Sequence, residues 1–305
     1  ECWRYTLVFT KGVYHLEDLR VGMSYPNYYI SRLASKFVKV CLQGTGGDEL
    51  FGGYPWRYYK VFDSLTQQDF FDQYYEFWQR LVPDAEKEIL FTKEVFDNID
   101  VDEPRRVFER VFTFNDKLKY NTPEAHINNS LYFEIKTFLP GLFLVGDKLS
   151  MAHGLEERFP FMDNDLVDFA MKIPVKHKLG NLEKEISKID ENTEQKKKVY
   201  REFDDGKNVL RKAMADFIPD EIINRKKQGF SAPDESWYRG ENANYVKELL
   251  LADDTISRKY INKEYIHKIV KEHIDENINH RLLIWSFMNF EWWCRIFLNG
   301  EKIGS

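Results

Sequence analysis

Residues 38–59, VKVCLQGTGGDELFGGYPWRYY, decide how this chain builds its candidate site. The short β-like run 38–43 predicts a β-strand, and the glycine cluster after it predicts a tight turn that leads into a helix. Asp48 and Glu49 stand in the first turn of that helix, where a phosphate-binding loop would ordinarily carry a lysine. The segment therefore combines outward-pointing backbone amides with two negative charges.

Three familiar binding patterns do not fit this glycine turn. A Walker loop requires a lysine directly after its last glycine, and residues 44–53 contain none. The dinucleotide pattern GxGxxG fits Gly44 and Gly46, but Glu49 occupies the third glycine position. A calcium-binding loop needs acidic residues that alternate over a longer span. What remains is a strand, a glycine turn and a helix that begins with carboxylates.

The two carboxylates allow two interpretations. Beside a polyphosphate they would be repelled unless a divalent cation stood between them, and Mg²⁺ characteristically bridges one or two carboxylates and substrate phosphates. Alternatively, Asp48 and Glu49 only interact favourably with the positive end of the helix dipole. The residues by themselves leave both readings open.

Composition narrows the class of protein. The chain has 305 residues, of which 43% are hydrophobic and 16% aromatic, enough for a well-buried core. A net charge of −6 argues against a nucleic-acid binder, which should show a basic excess. Three widely separated cysteines argue against a disulfide framework and favour a reducing cytoplasm. We find no targeting segment, and the apolar C-terminal stretch is interrupted by charges, so no membrane association is expected.

Helical periodicity dominates the rest of the chain. It predicts helices at 27–37, 66–82, 103–116, 124–155, 164–173, 209–218, 243–253, 263–274 and in the tryptophan-rich C-terminal segment, with a kink or break at Pro140-Gly141. The highly charged residues 181–208 are expected to form a mobile, solvated excursion. The chain 1–305 therefore divides into a strand-and-turn region at 17–60, helical regions at 61–180 and 209–305, and the excursion between them.

Three ordered blocks resemble the synthetase domain of the asparagine synthetase family. LQGTGGDELFGGYPWRY, from residue 42, is similar to the family pattern LSGxGxDExFGGY. FLVGDKLSMAHGLEERFPFMD (143–163) is similar to DKxSMAxxLExRxPFLD, and INRKKQGFSAPDESWYRG (223–240) to RxKxGFSxPxxxW. The resemblance runs from about Glu17 to the last helix, nearly the whole chain.

The resemblance implies a fold and an activity. The fold is helix-rich α/β, the C-terminal part of an adenine-nucleotide α-hydrolase-like domain of the PP-loop ATP pyrophosphatase type, with a remnant parallel sheet. The activity is ATP-dependent adenylation of the aspartate side chain, followed by attack of ammonia to give asparagine, AMP and pyrophosphate. In the family the ammonia comes from glutamine, which a separate N-terminal domain hydrolyses.

Site residues follow from the matched positions. Gln43 and Gly44 fall at the family's nucleotide-contact pair, and with Gly46, Gly47 and Asp48 they form the implied ATP-binding turn. Asp48 falls at the position that binds Mg²⁺ and pyrophosphate. Lys227 falls on the family's active-site lysine, whose ammonium would stabilise charge that develops during adenylation.

The second block carries further polar residues. Glu156 and Arg158 precede FPFMD in a segment expected to be buried, so their charges should pair, more as a structural or wall pair than as catalytic groups. His153 is expected to pack or cap rather than act as a base. The aromatic stripe of the last helix should be core, not a cofactor site: Trp285, Met288, Trp292 and Ile296.

Two departures from the family pattern bear on function. Thr45 stands where well-studied asparagine synthetases carry a glutamate tied to formation of the aspartyl-adenylate, and Gln43 replaces the usual serine. Sister enzymes that close β-lactam rings also vary at the position of Thr45. The SGGxDS pyrophosphate loop of the family is not found in these residues.

We therefore expect a fragment that carries part of an active site and is inactive by itself. Its expected partners are ATP, Mg²⁺, aspartate, upstream glutaminase and PP-loop segments in the same or a partner chain, and possibly a second copy in a homodimer. Two alternatives stay open: a non-catalytic helical remnant with an interaction or regulatory role, and an ATP-dependent amide or β-lactam ligase acting on another carboxylate.

Overall fold

The structure is a computed structural model that describes residues 2–19, 24–61, 64–115, 117–180, 206–225, 234–240, 242–276 and 278–303. Helices make up most of these residues, as the periodicity predicts. Most of the predicted excursion 181–208 and the block around Lys227 lie outside the described residues. The predicted domain limits remain expectations.

The sheet consists of two parallel strands in the described residues. Strand β1, Val40–Leu42, lies within the predicted run 38–43 and pairs with strand β2, Glu156–Arg158, so that Cys41 stands opposite Glu157. The pairing continues past β1, because the backbone N–H of Gln43 donates to the Arg158 carbonyl at 2.8 Å. We did not predict β2, since a strand of three charged residues has no apolar signal.

The two faces of this sheet differ. Side chains alternate along a strand, so Cys41, Gln43 and Glu157 share one face. That face is half-buried beneath the helix Leu139–Met151. On the other face, Val40 and Leu42 are 47% and 75% exposed, values unusual for strand residues of a parallel sheet.

The helices predicted in the first half are present with shifted ends, and further helices that were not predicted occur among them. They are α1 Cys2–Leu16, α2 Ser24–Ala34, α3 Gly47–Phe51, α4 Pro55–Tyr58, α5 Gln67–Trp78, α6 Lys87–Leu90, α7 Lys93–Phe96, α8 Glu103–Thr113, α9 Pro123–Phe133 and α10 Leu139–Met151. Helix α5 begins with a capping box in which Thr66 and Asp69 satisfy each other's backbone N–H groups. It ends at Trp78, before the predicted end at residue 82.

Of the predicted kink or break at Pro140-Gly141, the break is wrong. Helix α9 continues into α10 through a π-helical turn, Glu134–Phe138, and Pro140 falls in the first turn of α10. Proline has no N–H to donate within a continuous helix, and the wider π turn directly before it, in which the Leu139 N–H bonds to the Glu134 carbonyl, supplies the local adjustment that accommodates it. The continuous helix thereby places Glu134 in the protein interior, where it is fully buried.

The second half is also helical, and its C-terminal helices enclose an aromatic core. Its helices are α11 Asn164–Lys172, α12 Val175–Lys178, α13 Asn208–Ala213, α14 Asp220–Ile223, α15 Asp234–Arg239, α16 Ala243–Leu251, α17 Lys263–Ile274 and α18 Arg281–Trp293, with a π turn at Cys294–Leu298. Trp285, Met288 and Ile296 are buried together, and Trp292 packs against them. The prediction that this aromatic stripe is core is confirmed.

Helix α1, which we did not predict, closes part of that core. Phe9 and Val13 pack in the same cluster as Trp285, and the Phe9 and Trp285 rings meet edge to face at 4.7 Å. Cys41 and Cys294 are free thiols. In the described ranges, no helix is long and apolar enough to cross a bilayer.

Candidate functional site

The glycine turn is a left-handed entry into a very short helix. Gly46 has φ +99°, a conformation that strongly favours glycine, and it precedes α3 directly. A side chain at Gly46 would also overlap Met162, and one at Gly47 would press on the Phe161 ring at 3.1 Å. The segment after β2 thus packs directly against the turn, which explains the glycines at both positions.

Asp48 is held by a second pair of glycines. Gly52 ends α3 with φ +73°, and the backbone N–H of Gly53 donates to the Asp48 carbonyl at 2.7 Å. A methyl group on Gly53 would overlap the Asp48 carboxylate. The chain therefore folds back so closely that only glycine leaves room for this carboxylate beside residue 53.

Lys207 supplies a positive charge at Asp48. Its ammonium nitrogen lies 2.8 Å from Asp48 Oδ1, and the two side chains are 26% and 19% exposed. The backbone of Lys207 has φ +60°, and its N–H donates to the carbonyl of Phe51 at the end of α3. The sequence reading that placed Lys207 in a mobile, solvated excursion is wrong, because α3 fixes both its backbone and its side chain.

Glu49 has a different role from Asp48 although the two are adjacent. It is 1% exposed and accepts a hydrogen bond from the Tyr54 hydroxyl at 2.8 Å. Burial raises the pKa of the Glu49 carboxyl, and the Tyr54 hydrogen bond partly opposes that rise. Glu49 therefore anchors α3 from inside, while Asp48 faces the partly open side.

A buried ionic network stabilises helices α3 and α4 from the interior of the protein. The Arg57 guanidinium lies 3.1 Å from Glu134 Oε1, and the Tyr58 hydroxyl donates to Glu134 Oε2 at 3.0 Å. The guanidinium also stacks on the Tyr54 ring at 3.8 Å. Burial raises the pKa of Glu134 to about 7, against the lowering effect of Arg57. Sequence reasoning missed Glu134, because nothing local in 134–138 signals a π turn.

Gln43 and Glu157 meet across the sheet. Gln43 Nε2 donates to Glu157 Oε1 at 2.6 Å, on the face covered by α10. Burial raises the pKa of Glu157, Gln43 lowers it and Asp147 raises it. In the family pattern, Gln43 replaces a serine and Glu157 occupies an unspecified position. The departure at Gln43 is therefore in direct contact with a residue that the family pattern leaves unspecified.

The other sequence-predicted residues differ in how exposed they are. Gly44 is exposed with open space around it, and Thr45 is half-buried next to it. Glu156 and Arg158 pair at 2.9 Å as expected, but they are 48% and 60% exposed rather than buried, since they lie on the uncovered sheet face. Lys227 lies outside the described residues.

His153 packs as expected. Its ring lies 4.3 Å from that of Tyr28, edge to face, and burial lowers the pKa of the imidazole. A neutral, partly buried imidazole that contacts an aromatic ring matches a packing role.

The site can be tested for its fit to Mg²⁺. In the described part of the chain, no group of three or more His, Cys, Asp or Glu side chains could hold a metal ion. Mg²⁺ at phosphate sites needs only one or two protein carboxylates, because phosphate and water supply the other ligands. Asp48, fixed by Gly53 and partly exposed, fits that kind of site and does not form a cage made of protein alone.

The chain is similar to known proteins over most of its length. The family model for asparagine synthase matches residues 5–295. The chain is 27% identical to asparagine synthetase [glutamine-hydrolyzing] 1 of Bacillus subtilis, over 96% of this chain and 46% of that protein. It is 24% identical to a putative asparagine synthetase [glutamine-hydrolyzing] of Mycobacterium tuberculosis H37Rv, over 91% of this chain and 42% of that protein.

A fungal relative carries another name. The chain is 24% identical to amidase chyE of Penicillium rubens, over 73% of this chain and 36% of that protein. The chain spans less than half the length of these curated relatives. Because the family model covers nearly all of the chain, including the glycine turn, Asp48 and the strand that carries Glu157, the chain belongs to the asparagine synthase family, whose domain has the adenine-nucleotide α-hydrolase-like fold.

Proposed function

We propose that this chain carries part of the site of an ATP-dependent ligase that converts a carboxylate to an amide through an acyl-adenylate, with aspartate as the acceptor and glutamine-derived ammonia as the nitrogen source. The observation that supports it best is the Asp48–Lys207 pair beside the glycine turn. An anion and a cation held side by side offer one group for a metal that bridges phosphates and another for the phosphates themselves.

The residues at the glycine turn and the two lysines would have different roles, which depend on their charge. Gly44, Gly46 and Gly47 allow the backbone of the turn to approach a phosphate closely, as bulkier residues would not. Asp48 would hold Mg²⁺, which when bound neutralises phosphate charge. Lys207 would stabilise negative charge on the pyrophosphate as it leaves, and Lys227 would do so on the α-phosphate. The carboxylate of the acceptor forms the bond to the α-phosphorus, and the bond to pyrophosphate breaks.

The exposed face of the two-stranded sheet suits contact with a further polypeptide segment. Val40 and Leu42 are exposed on one side of β1, and Phe37 just before it is 78% exposed. Exposed apolar strand residues of this kind usually pack against further polypeptide. We propose that upstream PP-loop and glutaminase segments, in the same chain or a partner, cover this face and complete the ATP site.

A different acceptor is the second candidate. Thr45 and Gln43 replace the glutamate and serine of well-studied asparagine synthetases, and relatives of the chain include proteins named amidases. The hydroxyl of Thr45 cannot serve as an anionic ligand at neutral pH, so the turn differs chemically at this position from the turn of those enzymes. Another carboxylate would then take the place of aspartate.

ATP–pyrophosphate exchange in the complete natural protein tests the proposal. Exchange of labelled pyrophosphate into ATP should depend on Mg²⁺ and on a carboxylate, and a panel of amino-acid and desamino carboxylates identifies the acceptor. Exchange supported by aspartate alone favours asparagine synthesis, and exchange supported only by another acid favours the second candidate. If the folded protein shows no pyrophosphate exchange with any carboxylate of the panel, that result would contradict the ligase assignment and favour a non-catalytic remnant.

A further inference from the structure

The peptide unit that joins Gly206 to Lys207 is held at both of its polar groups. Its N–H, which belongs to Lys207, donates to the Phe51 carbonyl at the end of α3 at 3.1 Å. Its carbonyl, which belongs to Gly206, accepts a hydrogen bond from Arg211 Nε at 3.2 Å. This peptide unit therefore lies between the helix that carries Asp48 and the guanidinium of Arg211.

The left-handed backbone of Lys207 requires such restraint. Lys207 has φ +60°, a conformation that is unfavourable for a residue with a side chain and persists where the surrounding structure enforces it. Gly206 packs so closely on α3 that a side-chain carbon there would lie 2.5 Å from the Gly52 carbonyl oxygen. Arg211 adds a second contact, because its backbone N–H donates to the Lys207 carbonyl at 2.9 Å. Arg211 thus holds residues 206 and 207 with both its side chain and its main chain.

The same guanidinium is anchored at its other end by helix α14 and the residues after it. Arg211 Nη1 donates to the Ile223 carbonyl at 2.5 Å, and Nη2 donates to the Arg225 carbonyl at 3.3 Å. Ile223 is the last residue of α14, where backbone carbonyls lack a partner inside the helix. Arg225 stands two positions before Lys227 in the sequence, so one side chain links the two stretches that carry the proposed phosphate-binding lysines.

This set of bonds distinguishes a positioning role from simple helix capping. The three guanidinium nitrogens of Arg211 each donate to a different backbone carbonyl. A planar guanidinium carries its N–H donors in a fixed fork, so the carbonyls bonded to it are held at set positions relative to one another. Capping of α14 alone would need only the bond to Ile223. The bonds to Gly206 and Lys207 connect Arg211 to the residues that contact α3.

We propose that Arg211 is a positioning residue of the ATP site, which fixes the peptide unit between Gly206 and Lys207 so that the Lys207 ammonium stands beside Asp48. This assignment rests on the proposed function, in which Lys207 stabilises charge on the leaving pyrophosphate. The ammonium lies 2.8 Å from Asp48 Oδ1, and the Lys207 side chain is 26% exposed, so a ligand can reach it. A shift of the peptide unit would move the ammonium, and a misplacement of about 1 Å can cost about 100-fold in rate.

A double-mutant cycle on the complete natural protein tests this assignment. Two quantities are measured in the wild type, Arg211→Lys, Lys207→Ala and the double variant: the kcat of carboxylate-dependent pyrophosphate release, and the Kd of magnesium pyrophosphate by calorimetry. Lysine keeps the charge but presents one nitrogen in place of three, so Arg211→Lys should lower kcat and weaken pyrophosphate binding about fivefold or more. In the Lys207→Ala background the same change should alter each quantity by less than about twofold, because no ammonium is left to misplace.

Gly206→Ala tests the same peptide unit from the side of α3. Its methyl group would overlap the Gly52 carbonyl oxygen and displace the peptide unit. Its effect on kcat and Kd should therefore resemble that of Arg211→Lys, and it should likewise disappear in the Lys207→Ala background.

Arg258→Lys is the matched control. The Arg258 guanidinium also donates to the carbonyl of the last residue of a helix, Leu251 of α16, at 2.6 Å. This contact belongs to the C-terminal helical region and not to α3 or α13. Arg258→Lys should therefore leave the kcat of pyrophosphate release and the Kd of magnesium pyrophosphate unchanged.

Three results would overturn the assignment. They are wild-type values of both quantities in folded Arg211→Lys protein, losses from Arg211→Lys that are equally large with and without Lys207, and failure of Arg211→Lys to fold, which would give Arg211 a role in the fold as a whole. Lys207→Ala protein that changes neither quantity would also overturn it. Failure of the proposed function reads out separately, as the absence of carboxylate-dependent pyrophosphate exchange in the wild type, and the calorimetric cycle does not depend on that exchange.

Discussion

Lys207 Nζ lies 2.8 Å from Asp48 Oδ1, although the two residues come from distant parts of the chain. The backbone N–H of Lys207 donates to the carbonyl of Phe51 in the last turn of α3, the helix that carries Asp48. The same short helix therefore positions both side chains. The pair therefore behaves as one unit at the glycine turn. A lysine and an aspartate held together in this way can exchange their mutual contact for contacts to a metal–phosphate group.

The first prediction concerns both charges of this pair. Asp48→Asn should lower carboxylate-dependent pyrophosphate release about 100-fold or more, because one metal-bridged contact to the phosphates is lost. Lys207→Ala should lower the same rate by at least about tenfold, with glutamine hydrolysis unchanged in both variants. Stopped assays of pyrophosphate release in the complete protein provide the measurement. Asp97→Asn, at a remote exposed pair with Lys93, serves as the control. Wild-type rates in Asp48→Asn would remove Asp48 from the site.

The second prediction concerns Gly53. Gly53→Ala should impair pyrophosphate release nearly as much as Asp48→Asn, because its methyl group would overlap the Asp48 carboxylate. Gly12→Ala is the matched control. Gly12 lies in helix α1 with no atom in the way of a side chain, so alanine there should stabilise the protein by about 0.5–1 kcal/mol. Rates in Gly53→Ala that equal those of the wild type would show that the site tolerates a displaced Asp48.

The third prediction concerns pH and Glu134. Burial raises the pKa of Glu134 from its ordinary 4.5 to about 7, so the folded protein retains this proton where the unfolded chain has lost it. The contribution of Glu134 to stability is therefore fully present below about pH 4.5 and is lost as pH rises towards 7. In Glu134→Gln, urea unfolding from pH 4.5 to 8 should lack this part of the slope.

Glu134→Ala gives the complementary result. It removes the acceptors of Arg57 and Tyr58 and leaves a buried guanidinium without its carboxylate. The free energy of unfolding should fall by about 3–5 kcal/mol. A pH slope in Glu134→Gln identical to that of the wild type would show that Glu134 is ionised throughout this range.

The fourth prediction rests on sequence alone. Lys227→Ala should abolish adenylation while ATP binding weakens much less, because the lysine acts on charge that develops in the transition state. Arginine should rescue poorly, since its guanidinium is planar and more weakly hydrated. Pyrophosphate exchange and ATP calorimetry measured on the same preparations separate the two effects. A loss confined to ATP affinity would make Lys227 a binding residue.

The fifth prediction addresses the departure at Thr45. Thr45→Glu should either raise aspartate-dependent pyrophosphate exchange or leave aspartate inactive while another carboxylate supports exchange. Thr45 is half-buried, and the neighbouring Gly44 has open space where a side chain would lie. Thr45→Val, which removes the hydroxyl at the same size, is the control. An unchanged rate and acceptor profile in Thr45→Glu would show that this position is neutral.

The sequence by itself determined the features that depend on neighbouring residues. The apolar run 38–43 and the glycines after it placed the strand, the turn and the helix of Asp48, because strand and turn preferences act over a few residues. The 3.6-residue periodicity located most helices and identified the aromatic stripe around Trp285 as core. The three motif blocks indicated the family, which the family model confirms.

Tertiary structure alone decided which distant residues meet. Strand β2 has no apolar signal, and it becomes a strand only because β1 offers backbone partners. Lys207 lies in a charged run of sequence that predicts a solvated segment, but its backbone N–H bonds to the end of α3. Glu134 is buried because a π turn carries α9 into α10, and Glu157 is half-buried because Gly146 leaves it room. These contacts depend on packing between elements, whose geometry no short window of sequence contains.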